Sequence, residues 1–346
     1  LQIIPRLNAG GAELGCVQIA EALVAAGHRA IVASEGGRLV ERLVACGAEH
    51  IELPVATKNP YGLWRNSRKL AEIALRENVD ILHARSRSPA WSALWASRRA
   101  GKKFVTTYHS AYREQNALKN RYNRVMVAGD KVIAVSDHMA ELIRARYRTP
   151  ESRIAVIHRC IDPAQFDIAA LTPERLAAVR VQCGVSEADR VVLMAARISR
   201  RKVQHHLVEA AGLMAKAGRR DFVCVFAGEE EKPGYLAELR QLAEAAGIAD
   251  RIRFPGHLTD IAAANHIATV ALNIAAFEGL PRVALEAQAM GTPVIVSDTG
   301  PGREVARTEP DVAFGAATGL RVPFANPPRL AEAIARVPDM PVAERQ

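Results

Sequence analysis

Short runs of β-branched and aliphatic residues alternate with longer amphipathic stretches along this chain, and the alternation occurs in two successive series. In the first series the strand-like runs are LQIIP, HRAIVAS, HIELP, VDILHA, KFVTTYH, KVIAVS and RIAVIH. Between them lie helix-like segments such as AELGCVQIAEALVAAG, which repeats apolar residues at Leu14, Val17, Ala20, Leu23 and Val24 and stops on Gly27. The rhythm pauses over Cys160–Ala170, around Pro163, and restarts after TPERLAAVRVQCG with VVLMAAR, DFVCVFAG, RIRFPG, TVALNIAA, PVIVSD and GLRVP. Connections this short cannot form separate layers, so strand, helix, strand in repeated order predicts parallel sheets covered on both faces. The expected fold is α/β, with two Rossmann-like β/α/β domains at 1–165 and 166–346, hinged near residue 165 and facing each other across a cleft.

Composition removes several alternatives. Of the 346 residues 49% are apolar, and 18 Pro and 23 Gly are no excess, so the chain can bury two cores and is not disordered. No apolar run reaches the roughly 18–20 residues of a membrane span, and no secretory leader pattern is present. Leu1 already stands inside a strand-like run, so a few residues are expected ahead of it. The five cysteines (Cys16, Cys46, Cys160, Cys183, Cys224) are scattered without a CxxC pair, which argues for a reducing, cytoplasmic setting and against a disulfide framework or a zinc site. Charge is divided unevenly. Residues 1–150 hold 23 Lys+Arg against 13 Asp+Glu, and the remainder hold 23 against 24. The first half therefore suits an anionic partner, a lipid surface or acidic glycan, or else simply carries a solvated Arg-rich surface. Nucleic acid is the weaker option, because no aromatics interleave with the basic runs.

Three segments carry candidate chemistry. NAGGAE (8–13) joins the first strand to the first helix, where Gly10 and Gly11 allow close approach to a phosphate or sugar hydroxyl, or make a tight turn only. ARISRRK (196–202) places Arg197 and Lys202 at a strand's carboxyl end, where a guanidinium fork and a mobile ammonium can neutralise a diphosphate; an exposed basic loop is the plain alternative. In FEGLPRVALEAQAMGTPVIVSD (277–298), Glu278 and Glu286 stand eight residues apart, on a loop and on the helix it opens. Glu286 has small and apolar neighbours, so its carboxylate needs a hydrogen-bonding partner, and a ribose diol would serve. Neither GxGxxG nor GxxxxGK[ST] occurs, which disfavours a nicotinamide dehydrogenase or a P-loop NTPase.

ARISRRK, VFAGEE, RIRFPGHLTD, FEGLPRVALEAQAMGTPVIVSD and GLRVP, in this order, resemble the C-terminal half of the retaining GT-B glycosyltransferases of family 4; NAGGAE and the strand ending in His109 resemble its N-terminal half. The resemblance implies that Arg197 and Lys202 bind the donor's diphosphate, that Glu286 holds the nucleotide ribose, and that Glu278 lies near the donor sugar. It also implies donor contacts from Gly11 and from the Gly279, Leu280 and Pro281 loop, and catalytic positions for His109 and Glu278. Arg85 and Arg87, after the strand VDILHA, are candidates for an anionic acceptor or for a solvated loop.

This chain departs from the family pattern at several places. Val203 stands where glycine commonly follows the lysine, and Gly300-Pro301-Gly302 replaces Gly-Gly-Pro. Arg159-Cys160-Ile161-Asp162 replaces Asn-Gly-Val-Asp, and Leu14 a frequent arginine. The resemblance implies a closing helix that has no matching pattern after Arg336, so a truncated chain is an expectation here. Trp91 and Trp95 read as packing residues, and His205 and His206 lack a second ligand set for a metal.

The activity expected is transfer of a sugar from a nucleotide-diphosphate sugar to a hydroxyl of a glycan or glycolipid, a lipopolysaccharide core or exopolysaccharide precursor, with anomeric retention. No metal and no cofactor are needed. The enzyme is expected in the cytoplasm, with peripheral contact at an anionic membrane. A nucleotide-sugar epimerase of the same fold and a non-catalytic nucleotide-sugar-binding protein are the alternatives.

Overall fold

The computed structural model describes residues 1–8, 10–112, 116–275 and 277–339. Two compact units divide between His158 and Arg159. The first runs β1 (Gln2–Ile3), α1 (Gly11–Ala25), β2 (Ile31–Ser34), α2 (Val40–Ala45), β3 (Glu49–Glu52), α3 (Pro60–Arg76), β4 (Ile81–Ala84), α4 (Arg87–Ala100), β5 (Lys103–Tyr108), α5 (Ala117–Asn123), β6 (Lys131–Ala134), α6 (Asp137–Tyr147) and β7 (Ile154–Val156). All seven strands overlap the runs read from the sequence, β3 beginning one residue earlier, at Glu49. They form one parallel sheet in the order β3-β2-β1-β4-β5-β6-β7.

Alternation along each strand sends side chains to opposite faces. Ile3, Ile31 and Ala33 join a core with α3, α4 and α6, whereas Ile4, Ala30 and Val32 join another with α1 and α2. The helices between carry their own punctuation. Asn59 caps α3 by accepting from Tyr61 N at 2.9 Å, and Pro60 follows at the first helical position, where a missing N–H costs no bond. Gly101, at φ +65°, ends α4 in the left-handed conformation that glycine adopts without strain.

The second unit runs α7 (Pro173–Cys183), β8 (Arg190–Ala195), α8 (Gln204–Lys216), β9 (Phe222–Ala227), α9 (Tyr235–Ala245), β10 (Ile252–Gly256), α10 (Ile261–Ile267), β11 (Val270–Asn273), α11 (Arg282–Ala289), β12 (Val294–Ser297), α12 (Gly300–Val305), β13 (Gly319–Val322) and α13 (Pro327–Arg336). Its parallel sheet has the order β10-β9-β8-β11-β12-β13. The α/β fold with two Rossmann-like units is thus present. No helix of the described residues is long and apolar enough to cross a membrane.

Both sheets reverse their strand order once, at β1/β4 in the first unit and at β8/β11 in the second. Loops leaving adjacent strands there diverge to opposite faces, and ligands of open α/β sheets bind at such switch points. Packing beside the second, where β9 flanks β8, is close. Gly228, directly after β9, has φ +153°, and a Cβ on it would lie 2.2 Å from the Ala196 carbonyl oxygen. Both the conformation and the contact exclude a side chain. Gly228→Ala is expected to cost at least about 3 kcal/mol, read as a lowered midpoint in urea with an unchanged slope.

Candidate functional site

Arg197–Lys202 leaves β8 as a loop stitched to its neighbours. Ile198 pairs with the segment after β9, donating N–H to Glu229 O at 2.9 Å and accepting from Glu231 N at 3.0 Å. From within α8, the wholly buried Gln204 closes the loop: its Nε2 donates to Arg197 O at 2.9 Å and its Oε1 accepts from Ser199 N at 3.3 Å. Gln204 was not among the candidates read from the sequence; its signal is an amide at the head of an otherwise apolar helix face. Three of the loop's four cations, Arg197, Arg200 and Lys202, meet an acid from another element. Arg197 Nη1 contacts Glu231 Oε1 at 3.0 Å, and Arg200 Nη2 contacts Glu238 at 2.6 Å while lying over the Tyr235 ring. Lys202 Nζ donates to Glu278 Oε1.

Glu278 arrives on the loop after β11, the strand that pairs with β8 in register at Ala271 and Leu193. Adjacency of these two strands is what brings Lys202 and Glu278 together across 76 positions of sequence. Both are largely sheltered, with side chains 26% and 17% exposed. Gly279, Leu280 and Pro281 are buried, and Pro281 is the residue that caps α11. Glu286 lies one turn inside that helix, its side chain 11% exposed and 3.6 Å from Arg282 Nε. That separation is an ion pair but not a hydrogen bond. Burial raises the Glu286 carboxyl above the usual carboxylate range, outweighing the opposing pull of the Arg282 and Arg159 guanidinium groups.

The first unit places its candidates differently. Gly11 is exposed at the start of α1. The adjoining turn is held by Glu13, whose Oε2 accepts from Asn8 N at 2.7 Å and Gly10 N at 3.1 Å; Ala9 lies outside the described residues. Arg85 follows β4 but turns inward. It is 7% exposed, Nη1 donates to Gln2 Oε1 at 3.1 Å, and Nη2 sits where a Cβ on Gly15 would be 3.3 Å away. The guanidinium therefore packs between α1 and the strands β1 and β4, buried and not on a solvated loop, with Nε left without a hydrogen-bond partner. Arg87 is half-buried, donating to Asn123 Oδ1 at 2.9 Å with its guanidinium 4.2 Å from the centre of the Tyr112 ring. His109, half-buried, follows β5 beside the Tyr108–Tyr112 ring pair. His205 bonds through Nδ1 to the Tyr235 hydroxyl at 2.8 Å, and His206 packs its ring against Phe324. Trp91 and Trp95 pack together at 5.9 Å.

Comparison with known proteins accounts for both units. Residues 9–165 match the model of Glycosyltransferase Family 4, and residues 178–346 match that of Glycosyl transferases group 1. A glycosyltransferase from Rickettsia africae is 30% identical, over 99% of this chain and 90% of its own, at a TM-score of 0.82. The chain belongs to the family 4, group 1 glycosyltransferases. A D-inositol 3-phosphate glycosyltransferase of Mycolicibacterium gilvum is 33% identical over 184 residues, 51% of this chain and 39% of that protein. The chain spans half or less of the first curated relatives it matches. Anabaena Alr3699/HepE, solved with UDP-glucose, shares the fold at a TM-score of 0.83 and 21% identity over 98% of this chain and 89% of its own.

Within this family member two departures from the family pattern have a physical account. Val203 occupies the glycine position at φ +53°, a conformation costing a β-branched residue roughly 1–2 kcal/mol. Its side chain is 8% exposed in the main core of the unit, a burial worth roughly 1.5–3 kcal/mol, so the strain is offset. Pro301 falls in the first turn of α12, where its absent N–H leaves no helical bond unmade.

Proposed function

We infer that this protein transfers a sugar from a nucleotide-diphosphate sugar to a hydroxyl of a glycan or glycolipid, with retention at the anomeric carbon. The observation that carries the reading is the Lys202–Glu278 pair at the β8/β11 switch point, with Glu286 buried farther along the same helix-opening segment. The bond that breaks joins the anomeric carbon to a diphosphate oxygen, and negative charge grows on the departing diphosphate. Lys202 and Arg197 are the groups to stabilise it, as preorganised cations, with no metal in the role. The backbone of Gly279 and Leu280 offers further donors, and Glu286 takes the ribose diol. Gly11 and His109 are assigned to the reacting sugar by the family pattern. UDP-glucose in the Anabaena relative supports a uridine nucleotide as the first donor to try. The basic first half suits an acceptor with anionic groups, which favours a lipopolysaccharide core or an exopolysaccharide precursor on a membrane.

Without donor, the Glu278 carboxylate neutralises Lys202 and repels an incoming diphosphate. Glu278→Gln is therefore expected to bind UDP about tenfold more tightly, by removal of one like charge, while sugar transfer falls by about a hundredfold. Calorimetry with UDP and a nucleotide-sugar panel, with and without EDTA, measures the first effect. Turnover and the anomeric proton coupling of the product measure the second and the stereochemistry. A parent protein that binds no member of the panel overturns the reading, as does isomerised donor formed without acceptor.

A further inference from the structure

The excess positive charge of the chain is concentrated in one segment. Residues 58–124 hold 15 Lys+Arg against 4 Asp+Glu, a net +11 in a chain of net +9, so all the remaining residues sum to −2. The same segment contains every tryptophan, Trp64, Trp91 and Trp95. It builds α3, α4 and α5. The first two pack on one face of the first unit's sheet, sharing a core and joined where Ser92 Oγ donates to Leu63 O at 3.0 Å.

None of the three tryptophans is fully buried, and the outer side of α3 is unusual for a solvated helix. Tyr61 is 68% exposed and Trp64 42% exposed, with their rings stacked at 6.0 Å. Arg68 lies 5.1 Å over the Trp64 ring, Arg65 is exposed beside it, and neither arginine forms an ion pair among the described residues. Lys58 precedes the helix, and Leu118 of α5 is 79% exposed next to Lys119.

We propose that this face docks on an anionic phospholipid surface, Tyr61 and Trp64 seating at the headgroup level with Arg65 and Arg68 on the phosphates. Indole and phenol rings prefer the membrane–water interface because they present an apolar body and a polar tip. Clustered basic side chains add a salt-sensitive attraction to anionic lipid. Soluble partners lack this match: an acidic protein would use the charge but leave the rings wet, and an apolar one would leave the arginines unpaired. The inference deepens the reading of a membrane-borne acceptor and rests on it.

The tryptophans make the test direct. Mixed with vesicles of phosphatidylglycerol and phosphatidylcholine, the protein should bind, its emission should shift to the blue, and brominated acyl chains should quench it. Vesicles of phosphatidylcholine alone should produce none of the three. Arg65→Glu/Arg68→Glu should weaken binding by at least about 25-fold, and salt near 1 M should abolish it. Tyr61→Ser/Trp64→Ser should weaken it about tenfold, read by sedimentation. Both variants should keep the parent's circular dichroism and its UDP affinity. The proposal is overturned by equal binding to neutral lipid, by arginine reversals that leave binding intact, or by binding without any change in emission, which puts the contact elsewhere. Donor transfer to a soluble acceptor by a protein indifferent to vesicles overturns this inference alone; vesicle binding without donor binding overturns the functional reading instead.

Discussion

Alanine in place of Lys202 is expected to lower kcat for sugar transfer by about 10²–10³-fold, the cost of removing one preorganised group that meets charge developing in the transition state. The ammonium is held at the switch point before any donor arrives, by its bond to Glu278. Donor binding thus needs only a change of partner rather than the ordering of a free lysine. Removing Lys202 also leaves a carboxylate 17% exposed without its cation, and this should cost roughly 1–3 kcal/mol of stability. The melting temperature of Lys202→Ala should therefore fall by several degrees. Lys202→Ala/Glu278→Ala removes the stranded charge as well and should recover most of that loss while transfer stays absent. Arginine at 202 keeps the charge but not the reach or point geometry of an ammonium, and should restore UDP binding better than turnover. A double-mutant cycle in melting temperature, with steady-state kinetics on each protein, measures both effects. Turnover of Lys202→Ala within a few-fold of the parent would remove the residue from the reaction.

The fold was legible because parallel strands buried on both faces read as continuous apolar runs, and VVLMAA is such a run. Helices α2 and α12, six residues each, were not, since neither is long enough to show a helical period. For the site, a place on the loop after a strand was readable for Arg197, Lys202 and Glu278, and Glu286 stood out by its spacing from Glu278 and its small and apolar neighbours on the helix that follows. Pairings were not readable. Lys202 meets Glu278 only because β11 crosses over to lie beside β8, and Arg197 meets Glu231 only because β9 lies on the other side. Arg85 shows the same limit from the opposite direction. Its place just after β4 was readable, but its bond to Gln2, 83 residues earlier on the strand next door, was not. Strand order decides such contacts, and a local pattern does not encode it.

Glu286→Gln should separate function from stability in opposite directions. In the folded chain burial makes the Glu286 carboxyl hold its proton to higher pH than it does unfolded. Its ionisation therefore opposes folding. The penalty is absent below the unfolded value, near pH 4.3, and complete once the pH has risen past the folded one. A neutral amide of the same shape escapes it, so the variant should melt higher than the parent at pH 7.5, with the gap closing as the pH falls toward 4. Donor affinity should move the other way. A carboxylate accepting from both ribose hydroxyls makes charge-assisted bonds, and the amide keeps one neutral acceptor. The loss should be about tenfold for glutamine and about a hundredfold for alanine. Were Glu286 present only to neutralise Arg282, both signs would differ. Glutamine would then strand a buried guanidinium and lower the melting temperature, and nucleotide affinity would not change. Melting curves from pH 4 to 8 beside UDP titrations decide between the two.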